Sequence, residues 1–339
     1  MKPGEILYLS RKDVTKLLTS GDCYERCEDV FKWTGQGKVD QLNPVHLWIS
    51  GEESKVAGSF GAYLCAVKPL SVAGVKWLSC FKGNRTVGLP PITATNVLND
   101  ITTGLPLAII DGTSVTAMRT AGHAGVGAKY CARQDSKTVA IVGCGLQGRA
   151  HARIISYLFS IDTFIIYDAV KECEAQYQKD MEGELGIRIV RASSVQEATE
   201  SADIICMVSS SVEPLLREEW ISPGAHVCAS ALFSDTDPEC ATALDKWVVG
   251  WYERDLAWID GEEKGKLGGC SEGIYSYSSG GIYADLATEV VPGKKVVRES
   301  DDERTIMTHA GMPALDVAVS SLVYEEARRT GAGDVIRLF

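Results

Sequence analysis

The sequence predicts an α/β protein in two parts. One is a doubly wound parallel sheet; the other is an α+β domain formed by N-terminal residues and the C-terminal helix. Three observations carry this. From residue 139 to about 250, short β-branched runs alternate with helical segments across Gly-rich links, the pattern of parallel strands with crossover helices. The first hundred or so residues read instead as strands punctuated by Gly, Pro and Ser. The chain then closes on a helical stretch, 313–329, with Leu315, Val319, Leu322 and Val323 on one face. That helix follows the parallel part, yet is expected to pack on the first domain. The expected division is 1–118 with 310–339, and 119–309 between them, leaving a natural cleft.

Taken in order, 7–9 is a short strand, and Ser10 is placed to cap a helix with Asp13 three residues on. A second helix is expected over 22–34. Strands follow at 43–49, 59–67 and 71–81, then a loop at 85–91. Two further strands, 92–98 and 106–111, flank the turn Asn99-Asp-Ile-Thr-Thr-Gly104. Residues 113–131 are rich in Ala, Gly and Met and read as a helix of small residues. The parallel part takes strands at 139–142, 163–167, 187–190, 204–208, 226–231 and 246–249, with helices at 172–183 and 194–200. The Gly-rich stretch 261–281 reads as irregular.

The parallel part is organised around Lys137-Thr-Val-Ala-Ile-Val-Gly-Cys-Gly-Leu-Gln-Gly-Arg-Ala-His151. An apolar run ends at Gly143, which permits a tight turn. Gly145 lets a pyrophosphate approach the backbone, and Gly148 lets the next helix pack close. That helix begins near Leu146 and turns free N–H groups toward an anion. A second apolar run ends at Asp168, twenty residues after Gly148, where a carboxylate can accept bonds from ribose hydroxyls. Strand, glycines, helix and acid in register make this a Rossmann-type dinucleotide site. Asp168 repels a 2′-phosphate and no Arg follows it directly, so the expected cofactor is NAD.

Composition narrows the partners. A net charge of −11 over 339 residues argues against nucleic acid and anionic membranes. Nothing approaches the ~20 apolar residues of a membrane span, and no signal-like core opens the chain. Eleven cysteines without a C-x-x-C pair fit reduced thiols in a cytoplasmic protein, with no metal expected.

Three ionisable positions stand out. Lys76, in Gly74-Val-Lys-Trp77, is either a snorkelling lysine at a strand end or a cation for a substrate. Arg119 is either an interdomain salt-bridge partner or a clamp on a carboxylate or the cofactor phosphates. Asp235 follows a strand's C-terminal end, where ligands bind in open α/β sheets, and competes with Asp237 for the role of acid. His309 precedes the last helix.

Together these stretches resemble the ornithine cyclodeaminase/μ-crystallin family. The most specific are Gly74-Val-Lys-Trp77, Ala117-Met-Arg-Thr-Ala121, the glycine turn, and Gly311-Met-Pro-Ala-Leu-Asp-Val-Ala318. The resemblance implies an N-terminal substrate and dimerisation domain, completed by the C-terminal helix, plus a Rossmann domain. It implies that Lys76 contacts the substrate carboxylate and assists proton transfer. It places Arg119 and Thr120 at the cofactor phosphates and substrate, and Leu146 and Gln147 at the pyrophosphate. Asp168 falls at the ribose, Ser209 beside the cofactor, and His309 and Ala310 beside the nicotinamide.

Two departures argue against ornithine itself as substrate. Residues 231–239 lack the family's Pro-Gly-Lys, with Asp235 the best positional match. Pro44-Val-His-Leu-Trp48 lacks a family arginine, and His46 occupies that neighbourhood. The Asp235…Glu239 spacing looks more like the N-(2-amino-2-carboxyethyl)glutamate dehydrogenase branch.

The expected function is an NAD-dependent oxidoreductase acting on the C–N bond of an amino acid or N-substituted amino acid, through an imine, as a homodimer. Lys76 and Arg119 would hold the carboxylate, and Asp235 would hold the amine or activate water. The alternatives are deaminating cyclisation, and a non-catalytic NAD(P)H-dependent binding protein of μ-crystallin type.

Overall fold

The computed structural model describes residues 4–50, 56–211, 213–259 and 279–338. The chain divides into two compact units, Met1–Arg119 with Met312–Phe339, and Thr120–Gly311. The boundaries fall one and two residues later than the sequence division.

The first unit holds β1 (Glu5–Leu9), α1 (Arg11–Leu17), α2 (Ser20–Gly35), β2 (Val39–Gln41), β3 (Val45–Ser50), β4 (Val56–Val67), β5 (Val72–Cys80), β6 (Ile92–Asp100), β7 (Pro106–Asp111) and the start of α3 (Gly112–Cys131). From the end of the chain it takes α9 (Pro313–Thr330) and β16 (Asp334–Arg337). The strand order is β16-β1-β7-β6-β5-β4-β2, with β3 also on β4. Only β1 and β7 run parallel within it; the other pairs are antiparallel.

Local chemistry accounts for much of this. Ser10 and Asp13 form the reciprocal cap of α1, the Ser10 N–H donating to Asp13 Oδ2 at 2.9 Å. Helix α9 lies against β4, β5 and β6 on one side and α2 on the other. A side chain at Gly74 would meet the Val97 carbonyl oxygen at 2.6 Å and Val317 at 3.2 Å, so glycine lets α9 approach the sheet.

The second unit holds the rest of α3, then β8 (Thr138–Val142), α4 (Leu146–Leu158), β9 (Thr163–Tyr167), α5 (Lys171–Leu185), β10 (Arg188–Arg191), α6 (Val195–Thr199), β11 (Ile204–Met207), β12 (His226–Phe233), α7 (Glu239–Ala243), β13 (Lys246–Val249), α8 (Tyr252–Ile259), β14 (Ile282–Asp285) and β15 (Thr305–Thr308). Its sheet has the order β10-β9-β8-β11-β12-β15-β13-β14, and every pair is parallel. The order reverses between β8 and β11, the switch point at which such sheets bind ligands outside their carboxyl ends.

Several expectations need correction. Helix α9 is buried nearly all round from Pro313 to Ser321, beyond the four apolar positions foreseen, because it is covered by α2 as well as the sheet. Loop 85–91 begins as a helical turn, Lys82–Val87. Strands β14 and β15 add to the parallel sheet after residue 249, and β16 pairs with β1. Most of the Gly-rich stretch, 260–278, lies outside the described residues. Among the described residues the cysteines are free, no group suited to a metal ion occurs, and no helix is long and apolar enough to cross a membrane.

Candidate active site

In the first unit the register of the sheet builds the site. Tyr63, Lys76 and Asn96 lie directly opposite one another on β4, β5 and β6, and so share one face. Strand alternation puts Lys76 on the buried face with Val72 and Gly74. It is fully buried in mid-strand, with strands on both sides, so it is neither at a strand end nor at a sheet edge. An ammonium there demands a counter-charge, because the penalty for burying it unpaired is several kcal/mol.

Asp316 of α9 supplies that charge. Its Oδ2 lies 2.8 Å from Lys76 Nζ, and its Oδ1 accepts a 2.8 Å bond from Arg119 Nε. Arg119 therefore pairs with an acid of its own unit, in place of the interdomain partner considered from sequence. Lys76 Nζ also sits 4.1 Å from the centre of the Tyr63 ring, a cation–π contact. One turn after Asp316, Ser320 Oγ accepts from Asn96 Nδ2 at 2.7 Å. His46 on β3 reaches the same row: its Nε2 lies 3.4 Å from the Tyr63 hydroxyl. Among the described residues the cluster brings two cations, Lys76 and Arg119, onto one carboxylate, Asp316, beside an aromatic ring.

In the second unit the glycine turn leaves β8. Gly143 has φ +115°, and a Cβ on it would meet the Val208 carbonyl oxygen at 2.8 Å and the Ser209 Cα at 2.9 Å. A Cβ on Gly148 would lie 2.1 Å from the Gly143 oxygen, so α4 could not sit so close with any other residue there. Gly145 caps α4 without a side-chain acceptor, and a Cβ on it would meet open space. The first-turn N–H groups around Leu146 and Gln147 are thus left for an external anion, as a dinucleotide pyrophosphate requires.

Carboxylates fix the strand ends around this turn. Asp168, just past β9, accepts from the Cys144 N–H at 2.8 Å and the Val170 N–H at 2.9 Å. Asp235, past β12, is fully buried; its Oδ2 accepts both the N–H and the hydroxyl of Ser209 at 2.9 Å. Strand β12 runs to Phe233, two residues beyond the expected end. Burial pushes the Asp235 carboxyl up from 3.8 to about 6, against the pull of the Ser209 bonds. Asp255 on α8 accepts from Gly250 N at 2.8 Å, Trp251 N at 3.2 Å and Ala310 N at 2.6 Å. Burial pushes its carboxyl up to about 7. The His309 ring stacks on that of His123, with centroids 4.0 Å apart and planes at 26°. Thr120 is buried in α3.

The structure therefore brings Lys76, Arg119 and His46 into one cluster, and Gly143 to Gly148, Asp168, Ser209 and Asp235 into another. His309 and Ala310 follow β15, tied to His123 and Asp255. Sequence reasoning missed Asp316, Tyr63, Asn96, Asp255 and His123. Asp316 had a signal: an acid within the otherwise small and apolar run Pro313–Val319 is buried and must find a cation.

A match to the Ornithine cyclodeaminase/mu-crystallin family covers residues 5–331. Alanine dehydrogenase of Archaeoglobus fulgidus is 29% identical over 342 residues, covering 99% of each chain. The solved Δ1-pyrroline-2-carboxylate reductase of Thermococcus litoralis, in complex with NADH and L-proline, is 31% identical, covers 98% of this chain and 100% of its own, and gives a TM-score of 0.86. An archaeal alanine dehydrogenase dimer with bound NAD is 27% identical, covering 99% and 100%, with a TM-score of 0.84.

The raised carboxyl of Asp235 gives a pH test. A group whose folded value lies above its ordinary one stabilises the fold fully below that ordinary value and loses the contribution as pH rises through the folded value. For Asp235 this window runs from about 4 to about 6, worth roughly 3 kcal/mol. Asp235→Asn keeps an acceptor for Ser209 and removes the titration. Urea midpoints of this variant should fall less between pH 4 and 6 than those of wild type; identical slopes would contradict the assignment.

Proposed function

The chain belongs to the ornithine cyclodeaminase/mu-crystallin family, and on that premise we propose that it is an NAD-dependent oxidoreductase acting on the C–N bond of a small α-amino acid. In one direction the α-carbon of the amino acid gives up a hydride and its nitrogen a proton, leaving the imine. In the other, the imine takes both back. NAD, when bound, accepts the hydride, and NADH returns it. This is the chemistry named for the relatives, an alanine dehydrogenase and a pyrroline-2-carboxylate reductase. The observation that carries the reading to this chain is the buried Lys76–Asp316–Arg119 cluster, an ammonium and a guanidinium held on one acid, the donor types a substrate carboxylate calls for.

Each residue has a part in this reading. Lys76 and Arg119 anchor the carboxylate, with Asp316 holding both cations in place. Lys76, as an ammonium, is the general acid for the imine nitrogen. Tyr63 and His46 close the anchor's flank, and Ala310 borders the substrate. In the second unit Gly143, Gly145, Leu146, Gln147 and Gly148 cradle the pyrophosphate, Asp168 takes the ribose, and Arg119 and Thr120 face the phosphates. Asp235 positions Ser209 beside the cofactor, in place of the amine-holding role expected from sequence, because its side chain is fully buried and turned onto Ser209. His309 borders the nicotinamide, fixed by its stacking on His123.

The assembly we propose is a homodimer. The sheet face opposite α9 carries Val45, Leu47, Leu64 and Trp77, between 49% and 74% exposed, with Phe60 stacked on Trp77 at 5.4 Å. An apolar sheet face of this kind marks an interaction surface, and the archaeal relative is described as a dimer. Trp77→Glu should convert a dimer to a monomer in sedimentation at micromolar concentration; a wild-type monomer would contradict the proposal.

The catalytic test is Lys76→Met, which keeps most of the stem and deletes the charge. NADH affinity should stay within about threefold, while oxidation of L-alanine and L-proline, or reduction of their imino acids, should fall by at least ~100-fold. Near-normal turnover would move the carboxylate site elsewhere.

A further inference from the structure

Three groups meet at the end of β9. The Asp168 N–H donates to Glu174 Oε1 at 2.9 Å, and the same oxygen accepts Lys171 Nζ at 2.7 Å. Lys171 Nζ also lies 3.4 Å from the Asp168 carbonyl oxygen and 4.7 Å from the centre of the Tyr167 ring. Glu174 is buried, 2% exposed on its side chain, whereas the Lys171 side chain is 55% exposed. Glu174 is thus a fixed acid inside the turn, and Lys171 a flexible cation folded back onto it.

We propose that Glu174 and Lys171 form a latent 2′-phosphate site, in which Glu174 keeps the protein selective for NAD by holding the Lys171 ammonium away from the adenosine ribose. The proposal rests on the reading of Asp168 as the ribose-binding acid. Two carboxylates and one ammonium leave this corner with a net negative charge, which a 2′-phosphate cannot approach without repulsion. Removing the Asp168 charge alone brings the corner only to neutrality, with Lys171 still paired to Glu174. Removing the Glu174 charge as well leaves the Lys171 cation unpaired with it four residues past the strand end, on a stem long and exposed enough to turn outward. No arginine has to be added. Glu174→Gln retains an Oε1 acceptor for the Asp168 N–H, so the turn keeps its hydrogen bond while Lys171 is released.

The experiment is direct titration of NADH and NADPH, followed by nicotinamide fluorescence, against wild type, Asp168→Ser, Asp168→Ser/Glu174→Gln, and that double variant with Lys171→Met added. Asp168→Ser should lose about tenfold in NADH affinity and gain little for NADPH. The double variant should bind NADPH at least ~10-fold more tightly than Asp168→Ser, the scale of one charge-assisted phosphate contact. Lys171→Met should abolish that gain without altering NADH binding. Should the glutamine variant fail to fold, Glu174→Met in the same background answers the same question. No NADPH gain on loss of the Glu174 charge, or a gain that survives Lys171→Met, overturns the inference while leaving Asp168 in its role. Unchanged NADH affinity in Asp168→Ser overturns the Asp168 reading and the inference with it.

Discussion

The first unit depends on one carboxylate. Asp316 lies 2.8 Å from both Lys76 Nζ and Arg119 Nε, and all three side chains are buried. As a device for stability alone this is a poor choice, since well-packed apolar residues of similar volume hold a fold at least as well as a buried ion pair. What it provides is fixed charge: an ammonium and a guanidinium held in a buried layer by one acid. Such an arrangement is worth its desolvation cost where a second carboxylate has to be bound. The rest of the unit serves it. Gly74 lets α9 approach the sheet, Asn96 bonds Ser320 one turn beyond Asp316, and Tyr63 lays its ring against the ammonium.

The second unit repeats the theme with backbone partners. Asp168 joins the end of β9 to the glycine turn, Asp235 joins the end of β12 to Ser209 past β11, and Asp255 joins the end of β13 to Ala310 past β15. Each buried or half-buried acid spans two strand ends at the carboxyl edge of the parallel sheet. Carboxylates accepting two or three N–H or hydroxyl bonds fix loop geometry before any ligand arrives, which is how a site avoids reorganisation during reaction. The cost shows at Asp235 and Asp255, whose carboxyls burial pushes up to about 6 and about 7.

Much of this was legible in the sequence, and the reason differs by element. The glycine turn could be read because each of its glycines answers a local steric demand that no neighbour relieves. The longer strands of the first unit could be read because a half-buried sheet alternates, whereas β2 and β16, three and four residues long, could not. Lys76 could be singled out as an oddity but not placed, since only the pairing register shows that it faces α9 across from Tyr63 and Asn96. Asp316 was visible inside a quoted motif but carried no role, because its partners lie far away in sequence. β14 and β15 were missed because they follow the irregular stretch, outside the strand–helix alternation that made the equally short β10, β11 and β13 readable. Asp255 and His123 act through backbone N–H groups and ring stacking, which leave no pattern in sequence spacing.

The central claim is that the Lys76–Asp316–Arg119 cluster receives the substrate carboxylate. Its most direct test is equilibrium binding of a small α-amino acid and of its carboxamide to the protein saturated with NADH, in wild type and in Lys76→Met. The account predicts that the wild type prefers the acid over the amide by at least ~100-fold, the scale of one well-placed charge, and that the preference collapses in the variant. Equal binding of acid and amide by the wild type, or a preference that survives the loss of Lys76, would contradict it.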